Sequence, residues 1–181
     1  LEANGTWTTV PASEATTRIL PTLWVFRRKR TPDGEIKKYK GRFTVRGDLQ
    51  EKTPDDEDSY SPVAQWSSIR MMLVMSLILG WYTCSIDFAN AFVQAYLKKP
   101  IWIHMPRGFK SSEETKDGTK TCLRLIKSLY GVSIAPRAWY NHVCAALFAI
   151  GFVKSEYDNC VFYRPGLMLA QWVDDFLHEL P

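Results

Sequence analysis

Apolar and polar positions change period several times along the chain, and each change predicts an element. Leu23 to Arg30 alternates loosely, Pro32-Asp33-Gly34 has the chemistry of a tight turn, and Ile36 to Val45 resumes with aromatic and basic residues. Together these predict a β-hairpin with a positively charged surface. From Gly47 to Pro62 acidic residues and prolines recur without a period, which predicts an irregular connection. The run from Ile69 through Met72, Leu73 and Met75 to Leu79 is apolar on nearly every side, so it predicts a buried helix, capped by Ser67 or Ser68 and stopped at Gly80. Trp81 to Asp87 reads as a short apolar strand ending on a carboxylate, and Ile101 to His104 as a second strand before a loop from Pro106 to Gly118. Pro136 suits the first turn of a helix continuing through Trp139, Val143 and Leu147 to Gly151. Cys160 to Arg164 and Leu167 to Trp172 predict two strands joined by Pro165-Gly166, with a second reversal near Asp174-Asp175. Helices and strands interleave, so the expected class is α+β.

Composition narrows the function classes. The 181 residues, 46% hydrophobic and 23% charged, fit a globular domain and exclude general disorder. The most apolar stretch, Met71 to Leu79, falls well short of the about 20 residues a membrane-spanning helix needs. Cys84, Cys122, Cys144 and Cys160 form no C-x-x-C pair, which argues against a zinc knuckle or a disulfide framework and favours a reducing, intracellular compartment. His104, His142 and His178 lie in no H-x-E context, which removes a zinc nucleobase deaminase. Leu1 to Trp7 has neither a starting Met nor the regions of a signal peptide, so the chain reads as cut from a longer one. Net charge is only +4 but strongly polarised: Trp24 to Arg46 carries nine basic residues against Asp33 and Glu35, and Gly47 to Asp58 reverses to net −5.

Among the carboxylates, an adjacent pair says little by itself, because Asp55-Asp56 is another one in a stretch that reads as solvated loop. Asp174-Asp175 differs in its flanks, Leu169, Ala170, Trp172 and Val173 before and Phe176 and Leu177 after. Burying two neighbouring carboxylates without a cation is costly. Asp87, between Ile86 and Phe88, is a third carboxylate in a similar setting. Three carboxylates meeting at strand ends can hold a pair of Mg²⁺ ions about 3.5 to 4 Å apart for phosphoryl transfer. The same residues also fit an ordinary hairpin tip and a turn cap.

A series of blocks decides between these readings. Asn4-Gly5-Thr6-Trp7, Trp24-Val25-Phe26, Pro32-Asp33-Gly34 with Tyr39-Lys40-Gly41-Arg42, and Ser61-Pro62-Val63 precede Asp87-Phe88-Ala89-Asn90-Ala91-Phe92. Lys127-Ser128-Leu129-Tyr130-Gly131 and Ala135-Pro136-Arg137-Ala138-Trp139-Tyr140 follow, then Gly151-Phe152, Asp158, Cys160-Val161-Phe162 and Trp172-Val173-Asp174-Asp175. In this order the blocks resemble the reverse transcriptase domain of copia-type LTR retrotransposon polyproteins, with Trp172 where the family has the tyrosine of Tyr-Val-Asp-Asp.

The resemblance implies the palm and fingers of a right-hand nucleic-acid polymerase, an antiparallel sheet with packed helices. Residues 1–63 would be a fingers-like region with the basic hairpin. Residues 64–181 would be a palm-like region with interleaved fingers elements, incomplete at its C-terminus and lacking the thumb. It implies an RNA-directed DNA polymerase in which Asp87, Asp174 and Asp175 are the catalytic carboxylates, holding two Mg²⁺ ions with Mn²⁺ as a substitute. Phe92 would close the nucleotide pocket against a ribose 2′-OH, with Asn90 and Ala91 beside it. Tyr130 and Gly131 would pack against the incoming nucleotide and templating base, and Lys29 and Arg42 would grip the triphosphate from the hairpin. The implied partners are an RNA or DNA template with primer, deoxynucleoside triphosphates and the rest of the polyprotein, with no membrane. Two departures point to low activity in the isolated fragment: Trp172, and an end six residues after Asp175. The alternative is a catalytically inactive remnant that holds nucleic acid electrostatically.

Overall fold

The computed structural model describes residues 1–51, 59–109 and 119–181. Residues 52–58 of the acidic connection and residues 110–118 of the expected loop lie outside the described residues. The elements, in chain order, are β1 (Trp7–Pro11), β2 (Thr22–Arg30), β3 (Ile36–Val45), α1 (Trp66–Leu79), β4 (Tyr82–Asp87), β5 (Tyr96–Ile103), β6 (Thr121–Lys127), α2 (Ala135–Ala149), β7 (Val153–Lys154), β8 (Val161–Arg164), β9 (Leu167–Trp172) and β10 (Asp175–Leu180). They form a five-stranded antiparallel sheet in the order β4-β10-β9-β8-β7, a three-stranded antiparallel sheet in the order β1-β6-β5, and the hairpin β2-β3. The fold is thus mixed helix and antiparallel sheet, as the interleaved pattern predicts. No described helix is long and apolar enough to cross a membrane.

Two cores result. The five-stranded sheet and α2 share one, in which Trp139, Val143 and Leu147, spaced four apart on one helical face, pack with Phe162, Leu169 and Phe176. The three-stranded sheet and the hairpin base share the other, with Leu20, Phe43, Val45, Ile103, Leu123 and Leu125. Phe92 packs against both. The hairpin base is fastened by the Val45 N–H, which donates to the Tyr130 carbonyl at 2.8 Å. This approach explains two glycines. A Cβ on Gly131, which has φ +87°, would run into the Val45 carbonyl, and one on Gly47 would run into the Gly131 carbonyl.

Helix α1 departs from expectation twice. It buries only Met72 and Ser76, whereas Leu77 and Ile78 are 82% and 77% exposed. An all-round apolar sequence buries only the stripe that meets a partner, and α1 packs on β4, β9 and β10 along one side. Neither Ser67 nor Ser68 is the N-cap. Gln65 takes that position without a side-chain cap of its own, and the carboxylate of Asp158, far along the chain, accepts the Gln65 N–H at 2.8 Å and the Ser68 Oγ–H at 2.7 Å. Strands β1 and β6, which no strong alternation announces, pair from Trp7↔Leu125 to Pro11↔Thr121.

Candidate functional site

The reversal between β9 and β10 is a two-residue turn, Val173-Asp174, flanked by the paired residues Trp172 and Asp175. Val173 has φ 56°, a left-handed conformation that β-branched residues rarely adopt and that costs ~1–3 kcal/mol. Several bonds hold it. The Trp139 indole N–H donates to the Val173 carbonyl at 2.7 Å, and the Phe88 N–H donates to the Asp174 carbonyl at 2.9 Å. The Trp139 ring packs edge-on to Phe88, which packs in the same manner on Phe176. Trp139 is therefore a peg from α2 into the turn. Its apolar spacing marks it as a core residue, and only the structure shows where its N–H goes.

Asp87 closes β4 and is the register partner of Asp175. Opposed residues of an antiparallel ladder project to one face with Cβ atoms about 4.5–5.5 Å apart, so these two carboxylates are cross-strand neighbours. Asp174 lies in the adjoining turn. Among the described residues no hydrogen bond or ion pair engages the three carboxylates. Their hard oxygen donors fit a divalent cation such as Mg²⁺ or Mn²⁺. As positioned, they are a cross-strand pair with a third beside it and not a closed cage: among the described residues no group of three His, Cys, Asp or Glu side chains is close enough to hold an ion.

Tyr130 gathers the other candidates. Phe92 meets its ring edge-on at 4.9 Å, and the Arg42 guanidinium lies 5.9 Å from its centroid. Burial pushes the Tyr130 phenol up, and the charges of Asp174 and Asp87 add to that against the opposing Arg42. Asn90, with φ 56°, turns the chain from β4 into a short 3-10 segment, Ala91–Gln94, that buries Ala91 and leaves Phe92 half-buried. Ala91 thus presents its methyl to the core. Gly131 sits next to Tyr130, against the hairpin base. Lys29 shares the hairpin face of Arg42, through the pairs Val25↔Arg42, Arg27↔Lys40 and Lys29↔Lys38, but stands four positions nearer the tip. That is ~13 Å along a strand. The structure therefore brings Asp87, Asp174, Asp175, Phe92, Tyr130 and Arg42 into one corner, and leaves Lys29 outside it.

Residues 4–179 match the family model for reverse transcriptase (RNA-dependent DNA polymerase). The chain belongs to the reverse transcriptase family. It is 33% identical over 178 residues to the retrovirus-related Pol polyprotein from transposon RE2 of Arabidopsis thaliana, covering 96% of this chain and 12% of that protein. It is 31% identical over 182 residues to the Pol polyprotein from transposon TNT 1-94 of Nicotiana tabacum, covering 98% and 13%. Against the transposon Ty1-DR5 Gag-Pol polyprotein of Saccharomyces cerevisiae the identity is 26% over 161 residues, covering 88% and 8%. The domain is that of copia-type retrotransposon Pol polyproteins, and the chain spans about 12% of the length of the curated relatives it matches first.

Two residues of this reverse transcriptase domain support the corner from outside it. Asp158, 6% exposed, accepts the Cys160 N–H at 2.9 Å as well as the two donors from the start of α1. Burial works to raise its carboxyl, but the donors from Ser68, Gln65 and Cys160 hold it below the usual carboxylate range. Trp172, the family's tyrosine position, lies on the Asp175 face and packs on Trp66 with ring centroids 5.4 Å apart. Asp158 therefore seats the first turn of α1, and that turn backs the ring beside the carboxylates.

Proposed function

We propose that the chain is the palm-and-fingers part of an RNA-directed DNA polymerase that adds deoxynucleotides to a primer on an RNA or DNA template, acting within the longer Pol polyprotein. The observation that carries this reading is the register Asp175↔Asp87 with Asp174 in the adjoining strained turn, beside the Phe92–Tyr130 ring pair. Residues 64–181, with the five-stranded sheet and both helices, are the palm-like part. Residues 1–63, with the hairpin, are the fingers-like part, and their core also draws on Ile103, Leu123 and Leu129, which accounts for interleaving.

Asp87, Asp174 and Asp175 stand too far apart here to close on one ion, and would hold the divalent metal, Mg²⁺ or Mn²⁺, once drawn together around it. A pair of such ions, once bound, would supply Lewis acidity and offset phosphate charge. The chain's own groups orient the substrate. Arg42 places a fixed cation where the triphosphate arrives. Phe92, wedged against Tyr130 and both cores, cannot retreat, so its ring excludes a sugar bearing a 2′-OH. Gly131 keeps Tyr130 tight against the hairpin base. Lys29 reaches phosphates only further along the strand, with Arg27, Lys38 and Lys40.

The test is a chimera in which these 181 residues replace the matching segment of the RE2 polyprotein, assayed for primer extension with Mg²⁺. Extension that Asp174→Asn abolishes, and that admits ribonucleotides at least ~10-fold better with Phe92→Ala, supports the reading. A folded chimera that binds primer-template but extends nothing, and that Trp172→Tyr does not rescue, refutes it in favour of a non-catalytic remnant.

A further inference from the structure

The hairpin has two chemically different faces. Opposed residues of an antiparallel pair share a side, so Val25↔Arg42, Arg27↔Lys40 and Lys29↔Lys38 put five cations on one face. That face leads to Tyr130. The pairs Trp24↔Phe43, Phe26↔Gly41 and Arg28↔Tyr39 put rings on the other, which takes no part in the polymerase corner.

Along this outer face Trp24 and Phe26 stack, with planes 14° apart and centroids at 6.1 Å. Phe26 lies over Gly41, where a Cβ would stand 3.3 Å from its ring. Phe26 is 78% exposed and Tyr39 71% exposed, so their rings add little to either core. At the base, the Trp24 indole N–H is tied to the Arg107 carbonyl at 3.1 Å. There Trp24 and Phe43 join Trp7, Pro106 and Phe109, with Leu1 and the single acidic residue Glu2, in lining a pocket of about 320 Å³. A row of exposed rings leading into an aromatic pocket needs an occupant with flat apolar faces.

We propose that the outer face is a second nucleic-acid site, a stacking track for unpaired bases that ends in the pocket beside Trp24. Bases stack on aromatic side chains whatever their sequence, provided no complementary strand hides their faces. Charge favours this occupant over a protein. Arg28 lies opposite Tyr39 on the ring face, Arg30 follows at the strand end, and neither β2 nor β3 contains an acidic residue. A polyanion carrying flat rings meets both features, and a single strand, unlike a duplex, exposes them. The inference rests on the reading that this domain handles nucleic acid, and assigns the single-stranded part of the partner to this face.

The test compares a labelled thymidine decamer with an abasic decamer of equal phosphate number, by fluorescence anisotropy on the 181-residue chain. The thymidine strand should bind at least about 5-fold tighter, the lower bound for one base on one ring. Phe26→Ser with Tyr39→Ser should remove that ratio and leave abasic binding unchanged, and both rings are exposed enough for the cores to survive. Arg27→Ser with Lys29→Ser should weaken both strands and keep the ratio. Equal affinity for the two strands on the parent chain overturns the stacking track and leaves the nucleic-acid reading standing. A ratio that survives loss of both rings also overturns it. Failure to bind either strand overturns both readings.

Discussion

Replacing Asp158 tests how the start of α1 is held beside the candidate site. Its Oδ2 accepts the Gln65 N–H at 2.8 Å and the Ser68 Oγ–H at 2.7 Å, and its Oδ1 accepts the Cys160 N–H at 2.9 Å. The three bonds are unequal. Gln65 is exposed and its N–H can turn to water, whereas Cys160 is fully buried, so its N–H has no solvent to fall back on. Leaving that donor unpaired costs ~1–3 kcal/mol, and losing a carboxylate at a helix N-terminus adds ~0.3–1 kcal/mol. With the Ser68 bond, Asp158→Ala should lose ~3–4 kcal/mol, a large share of the stability of a small domain. Asp158→Asn keeps a carbonyl oxygen for the α1 donors but sets an amide against one of the three N–H or O–H groups, so ~2 kcal/mol is expected. Urea unfolding followed by circular dichroism and tryptophan fluorescence measures both. The pH dependence has a definite sign: the folded carboxyl is held below its ordinary value, so its contribution is present above the unfolded pKa of about 3.9 and is lost as pH falls through the folded value. The gap between the parent and Asp158→Asn should therefore close in acid. An Asp158→Ala variant within ~0.5 kcal/mol of the parent would refute this account of the α1 cap.

Two further substitutions probe buried strain. Glu179 is fully buried, and the neighbouring Ser76 hydroxyl, bonded to the Leu73 carbonyl and to Thr83, offsets only part of the upward push that burial gives its carboxyl, so the folded state is penalised as pH rises above the unfolded value of about 4.3. Glu179→Gln should raise stability by ~1–3 kcal/mol at neutral pH and by nothing in acid, read from melting temperatures across pH; an unchanged or lowered melting temperature at neutral pH counts against a buried, unpaired charge. Gly131→Ala sets a Cβ into the Val45 carbonyl at positive φ, and should cost ~2 kcal/mol or more in urea unfolding. A neutral result would mean that the hairpin base is not packed on the Tyr130 turn.

Much of this was legible in the chain itself, because it depends on neighbours a few residues apart. The Pro32-Asp33-Gly34 turn, the alternation that pairs β2 with β3, the Pro136 start of α2 and the Pro165-Gly166 hairpin are local signals that survive without a fold. The ordered blocks from Asn4 to Asp175 carry the family by themselves, since residue types in sequence order need no coordinates. Other features depend on what stands opposite, and only tertiary structure decides that. Hydropathy cannot tell that α1 meets a partner on one stripe, leaving Leu77 and Ile78 in solvent. Ser68 has the chemistry of a cap, yet its hydroxyl donates to a carboxylate ninety residues away. Asp87 and Asp175 become neighbours through strand register, and a one-residue slip would put them on opposite faces. Arg42 reaches Tyr130 while Lys29 does not because the hairpin is anchored at its base, where the Val45 N–H meets the Tyr130 carbonyl.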